Sequence, residues 1–338
     1  MKLDTQLQGL REAGEHAARL ERLGLDGAFT FEGPREVFTP LVLAAQRTQL
    51  DLYTNAAIAL PRNPIQLAHQ AWDLQELSEG RFALGLASQV RGHIERRYGS
   101  TFHPPVARIR ELVAVLRAIF DCWQNGTRLN FQGEYYEHTL MPPLFNPGPQ
   151  EAGPPPIWLG GLGPKMVEMA ATVGDGLLVM PFCTERFLTD HTLIAVDRGL
   201  TASGRDRSEF SLICESIICC GRSEEELEVA RAGTRMLLAF YGSTPAYRAV
   251  LEAHGWGDLQ LELNALVREN RWVAMDALIE DEMLETLAIC GSPSEVAAEL
   301  VRRFEPVAAR VGFYFPYAID DECIEELVDA VRSLSAST

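Results

Sequence analysis

Residues 154–179 read PPPIWLGGLGPKMVEMAATVGDGLLV, and this stretch decides the fold class. The apolar run at residues 157–159 predicts a buried strand, and the glycines that follow predict a sharp turn in which the backbone can approach a ligand. Pro164 suits the first position of a helix, Gly174 suits its end, and residues 177–179 predict a second buried strand. A strand, turn, helix and strand in this order form the repeating unit of an α/β fold.

The turn at residues 160–165 has the features of an anion-binding site. Free N–H groups at the start of a helix point to one place, together with the positive end of the helix dipole. Lys165 lies in the first turn, where its charge opposes that dipole, so a nearby anion such as a phosphate would explain it. An ordinary turn, with glycines needed only for close packing, explains the same sequence equally well.

The alternation of strands and helices extends in both directions from this stretch. We predict eight strands, at residues 1–7, 27–31, 50–58, 81–86, 157–159, 177–179, 210–220 and 311–315. Two stretches interrupt the rhythm: residues 125–156, expected to form an ordered insertion with one hairpin, and residues 245–283, expected to be mostly helical. The chain is therefore predicted to be a single α/β domain, a closed (β/α)8 TIM barrel with two insertions. An open doubly wound sheet is the alternative, but it would favour a glycine fingerprint after the first strand.

Composition bounds the class of protein and its partners. The chain has 338 residues, of which 47% are hydrophobic and 23% charged, as in a soluble globular protein. Lysine and arginine total 30 and acidic residues 47, so the net charge of 30 − 47 = −17 argues against nucleic acid and against anionic membrane as partners. The first residues have no signal-peptide pattern and no apolar run could span a bilayer, so we expect a cytoplasmic protein.

The cysteines and histidines exclude several kinds of site. Seven cysteines lack metal spacing and are expected to be reduced thiols: Cys122, Cys183, Cys214, Cys219, Cys220, Cys290 and Cys323. The adjacent Cys219 and Cys220 are predicted to lie in a strand. The sequence has no H-x-H, no H-E-x-x-H and no G-x-S-x-G, so neither a metal-dependent hydrolase nor a serine esterase is expected, and we predict no metal site.

Two residues are candidates for proton transfer at the carboxyl ends of the strands, where barrel enzymes place their sites. Glu32 ends the second strand, and His93 follows the fourth. A salt bridge to Arg35 or Arg62 is an equally good explanation of Glu32. Three further arginines follow the fourth strand and would hold an anion or form a solvated helix face: Arg91, Arg96 and Arg97. Since no nucleophile or metal motif is present, a bound cofactor is expected to carry the chemistry.

Three segments together resemble the bacterial luciferase-like family of flavin- and deazaflavin-dependent oxidoreductases, in particular its coenzyme F420-dependent branch. They are residues 53–89, with AIALPRNP and AWDLQELSEGRFALGLASQV, residues 91–99, RGHIERRYG, and the opening stretch with PIWLGGLGPKM. The resemblance covers residues 1 to about 315 and is weaker over residues 245–283.

The resemblance implies that a cofactor ring lies across the barrel mouth, against a non-proline cis peptide near Asn55–Ala56 or Ala56–Ala57. It implies phosphate contacts at the glycine turn and a polar turn facing the cofactor after the fourth strand. With the anion turn, the predicted cofactor-binding residues are Asn55, Ala56, Ala57, Ser88, Gln89, Gly160, Gly161, Leu162, Gly163, Pro164 and Lys165.

Two departures from the family pattern bear on the chemistry. Relatives often have glycine where Ala87 stands, and several have a catalytic histidine just after the second strand, where this chain has Glu32-Gly33-Pro34. Glu32 or His93 is expected to replace that histidine.

The predicted function is an F420-dependent oxidoreductase that transfers hydride between deazaflavin C5 and an organic substrate. The apolar loops at residues 180–182 and 315–317 indicate a largely hydrophobic substrate, although packing at strand ends also explains them. One alternative is an FMN-dependent monooxygenase that works with a separate reductase. Another is a non-catalytic flavin-binding relative. The resemblance also implies a homodimer.

Overall fold

A closed parallel barrel forms the centre of the computed structural model, which describes residues 1–336. The strands in chain order are β1 (Lys2–Gln6), β2 (Gly27–Thr30), β3 (Asp51–Thr54), β4 (Ala57–Ile58), β5 (Phe82–Ala87), β6 (Phe131–Gln132), β7 (Glu137–His138), β8 (Ile157–Gly161), β9 (Gly176–Val179), β10 (Ser211–Cys220), β11 (Ile289–Gly291) and β12 (Arg310–Tyr314). Eight of them make the barrel in the order β1-β2-β3-β5-β8-β9-β10-β12.

Pairing at two seams closes the barrel. The last strand β12 pairs in parallel with the first, placing Lys2 opposite Arg310 and Thr5 opposite Phe313. The sixth and seventh barrel strands, β9 and β10, pair between Gly176 and Ser211. Because every barrel strand has two neighbours, the predicted TIM barrel is confirmed and the open sheet is excluded.

Helices follow the strands and cover the outside of the barrel. They are α1 (Ala13–Arg22), α2 (Thr39–Ala45), α3 (Pro64–Leu77), α4 (Arg91–Arg96), α5 (Pro105–Asn125), α6 (Pro164–Val173), α7 (Glu185–Phe187), α8 (Ile194–Ser203), α9 (Glu224–Gly242), α10 (Arg248–Glu252), α11 (Gly257–Arg268), α12 (Asp281–Leu287), α13 (Pro293–Phe304) and α14 (Asp321–Ser335). A π-helical stretch, Leu188–Leu193, joins α7 to α8. Within residues 1–336, no helix is both long and apolar enough to cross a membrane.

Local sequence explains where several helices begin. Asn63 accepts a hydrogen bond from the amide of Ile65 at 3.0 Å, and Pro64 occupies the first helical position of α3. Ser292 and Glu295 form the capping box of α13. These caps satisfy N–H groups that have no partner inside the helix.

Alternate side chains of the barrel strands divide the core into two layers, because successive residues of a strand point to opposite faces. An inner cluster fills the barrel and contains Phe29, Tyr53, Ala83, Leu178 and Ile213. The Tyr53 ring lies 5.2 Å from the Phe29 ring between centroids, and Phe29 and Tyr53 are almost completely buried. The outer layer packs under the helices and forms the largest apolar cluster of the described chain. The interior is therefore a packed core.

The two stretches that interrupt the rhythm have the expected character. Residues 125–156 contain one antiparallel hairpin, β6 with β7, and the carboxylate of Glu111 on α5 accepts the amides of Tyr135 and Tyr136 at 2.7 Å each. Residues 245–283 contain α10, α11, the start of α12 and three short 3-10 turns.

Two predicted elements differ from the structure, and one observed strand was not predicted. The third strand was expected over residues 50–58 as one piece, but it divides into β3 and β4 because the backbone turns at Asn55. The polar loop after the fourth strand contains the short helix α4. The strand β11 is absent from the sequence prediction. It is only three residues long, and it forms because the ten-residue β10 extends past its barrel neighbours, so that Ile218 can pair with Ile289.

Candidate active site at the barrel mouth

The carboxyl ends of the barrel strands surround an open mouth. Its rim consists of half-buried residues, in contrast to the fully buried residues deeper in the same strands. They are Gln6, Asn55, Ala56, Ala87, Ser88, Gln89, Gly160, Gly161, Leu162, Met180, Glu215 and Tyr314. Many of the residues predicted to bind a cofactor therefore lie around one opening.

The turn between β3 and β4 forms one side of the mouth. The peptide bond between Asn55 and Ala56 is cis, at one of the two positions that the resemblance implied. The backbone N–H of Asn55 donates to the carbonyl of Thr30 at 2.6 Å. Asn55 and Ala56 are half-buried, but Ala57 is fully buried in β4, so its side chain does not reach the mouth.

The glycine turn after β8 forms another side. Gly163 is the N-cap of α6, and its carbonyl accepts the amides of Met166 and Val167. Gly163 has a φ of −69°, and a Cβ added there would meet no atom within 4 Å. Neither backbone conformation nor packing therefore requires glycine at this position. Pro164 and Lys165 are exposed beside it, and within residues 1–336 no hydrogen bond involves the amide of Gly163 or Lys165.

The turn after β5 completes the polar part of the rim. Gln89 has a φ of +58°, and its side-chain oxygen accepts the amide of Val90 at 2.9 Å. The Ser88 hydroxyl donates to the Gln89 carbonyl at 3.3 Å. The methyl group of Ala87, the departure from the family pattern, lies against Gly160, where an added Cβ would be only 3.1 Å from it. A residue larger than glycine at 160 would therefore press on this turn.

Glu32 lies at the end of β2, as predicted, and its carboxylate is fully engaged. One oxygen accepts the Ile58 amide at 2.8 Å and the Arg62 guanidinium at 2.6 Å, and the other accepts the Tyr98 hydroxyl at 3.0 Å. Burial of the Tyr98 hydroxyl and the nearby Glu32 charge raise the pKa of Tyr98. The ion pair to Arg62, the alternative explanation of Glu32, is therefore present. The predicted role of Glu32 in proton transfer stays a prediction.

His93 does not join Glu32. Its side chain is exposed on α4, and no hydrogen bond of that side chain is found among the described residues. Its backbone carbonyl accepts the amides of Arg97 and Tyr98. The part predicted for His93 in proton transfer likewise stays a prediction.

The arginines after the fourth strand separate in the structure. Arg97 donates to the Gly33 carbonyl at 2.7 Å, whereas Arg91 pairs loosely with Glu95 on the same helix. Arg97 lines an open cleft of about 420 Å³ beside Glu32, together with Arg35 and Arg62. This cleft is polar, and two glutamates, Glu32 and Glu36, line it beside the three arginines.

Glu215 is a site residue that sequence reasoning missed. It lies in the middle of β10, and the Nδ2 group of Asn55 donates to its Oε2 atom at 2.9 Å across the mouth. The signal was a single carboxylate inside the apolar run LICESIICC, where a strand period of two aligns it with Ile213 of the inner cluster. Burial raises the pKa of Glu215 to about 8, against the smaller lowering effect of the Asn55 hydrogen bond.

Tyrosines surround Glu215. Burial raises the pKa of Tyr241 and of Tyr314, whose hydroxyls face each other, and the nearby Glu215 carboxylate adds to both shifts. The Tyr241 ring packs 5.9 Å from Phe182, measured between centroids, and a Tyr247 ring completes this aromatic group. The predicted apolar loop at residues 180–182 therefore contributes to the wall near Glu215.

The second apolar loop, at residues 315–317, is held by packing. The Tyr317 hydroxyl accepts the Cys220 amide at 2.7 Å and donates to the Cys220 carbonyl at 3.0 Å. The ring of Phe315 packs between Phe313 and Tyr317. Its alternative explanation, packing at a strand end, accounts for these contacts. Among residues 1–336, no group of three or more histidine, cysteine, aspartate or glutamate side chains is arranged to hold a metal.

Comparison with known proteins places the chain in a family. The model of the luciferase-like monooxygenase family matches residues 1–310. The chain is 45% identical over 334 residues to the uncharacterised protein Rv1360 of Mycobacterium tuberculosis, covering 98% of both. It is 27% identical over 270 residues to a 5,10-methylenetetrahydromethanopterin reductase of Archaeoglobus fulgidus, covering 78% of this chain and 76% of the relative. A putative coenzyme F420-dependent oxidoreductase of M. tuberculosis, Rv3520c, is 28% identical over 326 residues, covering 89% and 91%.

Solved structures share the fold. The coenzyme F420 dependent tetrahydromethanopterin reductase from Methanopyrus kandleri superposes with a TM-score of 0.80 at 17% identity, covering 98% of this chain and 99% of the other. The oxygenating constituent of 3,6-diketocamphane monooxygenase from Pseudomonas putida, in complex with FMN, gives 0.66 at 14% identity, covering 98% and 97%. The family match over residues 1–310 confirms the resemblance found in the sequence. The chain therefore belongs to the luciferase-like monooxygenase family and is an oxidoreductase.

Proposed function

We propose that this chain is an F420-dependent oxidoreductase whose substrate is organic and largely apolar. F420, when bound, supplies a C5 carbon that gives or accepts a hydride. The chain binds the cofactor, forms the pocket for the substrate and supplies the groups that exchange a proton.

The observation that carries the proposal is Gly163. Its φ of −69° and the open space around it leave the backbone at the start of α6 accessible to close approach of a ligand. The adjoining amides and the start of the ten-residue helix α6 favour an anionic group. A cofactor phosphate fits this cradle, which Gly161, Leu162, Gly163 and Pro164 would form.

The other rim residues fit the ring of such a cofactor. Asn55 and Ala56 lie on one side of the mouth, and Ser88 and Gln89 follow the neighbouring barrel strand β5. Partly exposed apolar side chains, Leu162 and Met180, offer a surface for an apolar substrate. These residues would orient the ring and exclude water from its reacting face.

Sequence relatives favour F420 over FMN. Rv3520c, which shares 28% identity over most of both chains, is named a putative coenzyme F420-dependent oxidoreductase. The FMN-bound neighbour shares only 14% identity, at which likeness supports the fold alone. An FMN-dependent monooxygenase with a separate reductase is the second candidate, since the family model carries the monooxygenase name.

Fluorescence titration with F420, and separately with FMN, tests the proposal. We expect F420 to bind in the micromolar range or tighter, and FMN to bind much more weakly. Preference for FMN, with oxygen uptake coupled to substrate oxidation, would establish the monooxygenase instead. Binding without turnover over a broad substrate panel would indicate the non-catalytic relative.

We also propose that the chain forms a homodimer. The hairpin insertion exposes large apolar side chains, with Leu140 at 78%, Leu144 at 88% and Phe145 at 63% exposure. Burial of this surface against a second copy would remove it from water. Sedimentation equilibrium should give twice the single-chain mass of 37.5 kDa, and a single-chain mass would refute the dimer.

A further inference from the structure

The carboxylates Asp4, Glu32 and Glu215 lie in or on the barrel, and they differ in what balances their charge. Asp4 at the lower end forms a bidentate ion pair with Arg310. Glu32 on the rim pairs with Arg62. Glu215 has no lysine, arginine or histidine within ion-pair distance among residues 1–336, and its one hydrogen-bond partner is the neutral amide of Asn55.

The groups facing Glu215 are neutral on every side. Asn55 lies across the mouth, Tyr53 below it in the barrel, Tyr314 on the neighbouring strand β12 and Tyr241 on α9. A buried carboxylate without a cation is strongly disfavoured, so the neutral acid is the stable form of Glu215 near neutral pH. A carboxylic acid kept protonated near neutrality has both a proton to give and the ability to take one back.

The geometry leaves one oxygen of Glu215 available. Asn55 donates to Oε2, whereas Oε1 has no hydrogen-bond partner among the described residues. Glu215 is half-buried, in contrast to its fully buried strand neighbours Cys214 and Ser216. Its hydrogen bond to Asn55, a residue of the rim, places the carboxyl group beside the mouth. Asn55 therefore acts as a positioning residue that fixes one oxygen and leaves the other free of partners among the described residues.

We propose that Glu215 is the residue that exchanges a proton with the substrate at this site. The assignment rests on the proposed function, because it names the acid–base partner of that hydride transfer. Glu215 takes the role in proton transfer that was predicted for Glu32 or His93. Glu32 is engaged in three hydrogen bonds, and the His93 side chain is exposed on α4.

The step balances for a substrate with a C=O or C=N bond. In the reducing direction, the substrate carbon receives a hydride, and the π electron pair of the double bond moves to the heteroatom. The Glu215 carboxyl proton moves to that heteroatom, which forms a new O–H or N–H bond and leaves a carboxylate at Glu215. The substrate is reduced by two electrons and the cofactor is oxidised by two, and water at the open mouth returns the proton to Glu215. In the oxidising direction each transfer reverses, with Glu215 as the base.

The test combines infrared spectroscopy with kinetics on the full-length protein. Glu215→Gln keeps the shape of the side chain and an oxygen that accepts from Asn55, but it cannot exchange a proton. Glu262→Gln is the matched control. It makes the same chemical change at an exposed glutamate of α11, a residue that has no part in the site described above. The infrared measurement follows the C=O band of a protonated carboxyl group, and it needs no cofactor.

Between about pH 6 and 8, where ordinary carboxyl groups are ionised, we expect the wild type and Glu262→Gln to show a band that Glu215→Gln lacks, and to lose it above a pH of about 8. F420 affinity, measured by fluorescence, should agree among the three proteins within about threefold. Oxidation of reduced F420 by cyclohexanone, cyclohexenone or pyrroline should slow about 100-fold or more only in Glu215→Gln, the usual loss for a missing general acid.

The outcomes distinguish the two proposals. If F420 binds and Glu215→Gln reacts at the wild-type rate, or if the wild type and Glu215→Gln show the same carboxyl absorption between about pH 6 and 8, Glu215 does not exchange the proton. If F420 binds but no probe reacts with any protein, the C=O or C=N substrate class is refuted. If F420 does not bind the wild type, the proposed function fails and the step fails with it, even when the infrared band is present.

Discussion

Arg310 on the last barrel strand donates two parallel hydrogen bonds to Asp4 on the first. Its Nε bonds Oδ2 at 2.7 Å, and its Nη2 bonds Oδ1 at 2.6 Å. The same guanidinium bonds Asp51 on β3 at 2.5 Å. Burial opposes the charge on Arg310, but the two carboxylates outweigh it and raise the pKa of Arg310. The ion pair lies against the Tyr53 ring of the inner cluster and spans the seam between β1 and β12 at which the barrel closes.

Removing this guanidinium should destabilise the barrel strongly. Arg310→Met leaves Asp4, which is fully buried, without a cation. We expect the free energy of unfolding to fall by about 3–5 kcal/mol, since an uncompensated buried charge remains. Urea unfolding followed by circular dichroism measures the change. The double variant Asp4→Leu/Arg310→Met should recover much of the loss, and a double variant no more stable than Arg310→Met would contradict this reading of the pair.

The fold was predictable from sequence because it depends on periodic signals. Strand runs such as residues 177–179 and helix caps such as Ser292 and Glu295 repeat along the chain and reinforce one another. The glycine turn was predictable for the same reason, since glycine and proline restrict the backbone directly. The strand β11 was not, because three residues carry no period and their pairing depends on how far β10 extends.

The partners of the site residues were not predictable from sequence. Glu32 was placed correctly at the end of β2, but which of Arg35 and Arg62 pairs with it depends on how the loop after β4 folds. The bond between Asn55 and Glu215 joins residues 160 positions apart. Such contacts follow from barrel closure, which a local pattern does not encode.

The pH dependence of stability between pH 4.5 and about 8 should depend on Glu215. Its pKa in the folded protein is raised from 4.5 to about 8, mainly by burial. A carboxyl group with a raised pKa stabilises the fold below its ordinary pKa, and this contribution is lost as pH rises through the folded value. We therefore expect the unfolding temperature of the wild type to fall, relative to Glu215→Gln, between pH 4.5 and about 8 and to level off above. The difference in free energy should be a few kcal/mol at most.

Thermal scans of both proteins in matched buffers test this pH dependence. Glu262→Gln, which changes an exposed carboxylate, should follow the wild type across the same range. A constant difference between wild type and Glu215→Gln would show that Glu215 is ionised throughout.

Substitutions of Gly163 distinguish its role as the N-cap of α6 from a role in binding an anionic ligand. Both Gly163→Asp and Gly163→Ser place a capping oxygen at the N-terminus of α6, where the backbone and the open space accept it. Each should raise stability by about a few tenths of a kcal/mol, because aspartate and serine are better N-caps than glycine. Only the aspartate carries a negative charge, so it should weaken F420 binding about tenfold or more at low salt.

Fluorescence titration at two salt concentrations reports this effect. We expect Gly163→Ser to weaken F420 binding less than Gly163→Asp does. Higher salt should reduce the difference in F420 affinity between the two variants. Equal affinities of both variants and the wild type would mean that no anion lies at the start of α6.

Cys183 should resist alkylation in the folded protein although it is half-buried rather than enclosed. Burial raises the pKa of its thiol to about 12. At pH 8 only about one thiol in 10,000 is then the reactive thiolate. Iodoacetamide labelling followed by mass spectrometry should leave Cys183 unmodified in the native protein and modify all seven cysteines after unfolding. Rapid labelling of Cys183 in the native protein, identified by its absence in Cys183→Ser, would contradict the raised pKa of this thiol.

Glu32→Gln tests whether Glu32 supports the mouth or exchanges the proton. The carboxylate accepts hydrogen bonds from the Ile58 amide, Arg62 and Tyr98, so it fixes the chain immediately after the turn at Asn55. A glutamine amide would point an N–H group at Arg62 or Tyr98 and lose the ion pair. We expect a loss of about 2–3 kcal/mol in unfolding free energy and weaker F420 binding, with an unchanged pH dependence of turnover. Tyr98→Phe removes one bond only and should cost about 1 kcal/mol. If Glu32→Gln instead keeps its stability and F420 affinity but loses turnover, Glu32 exchanges the proton and the role assigned to Glu215 is wrong.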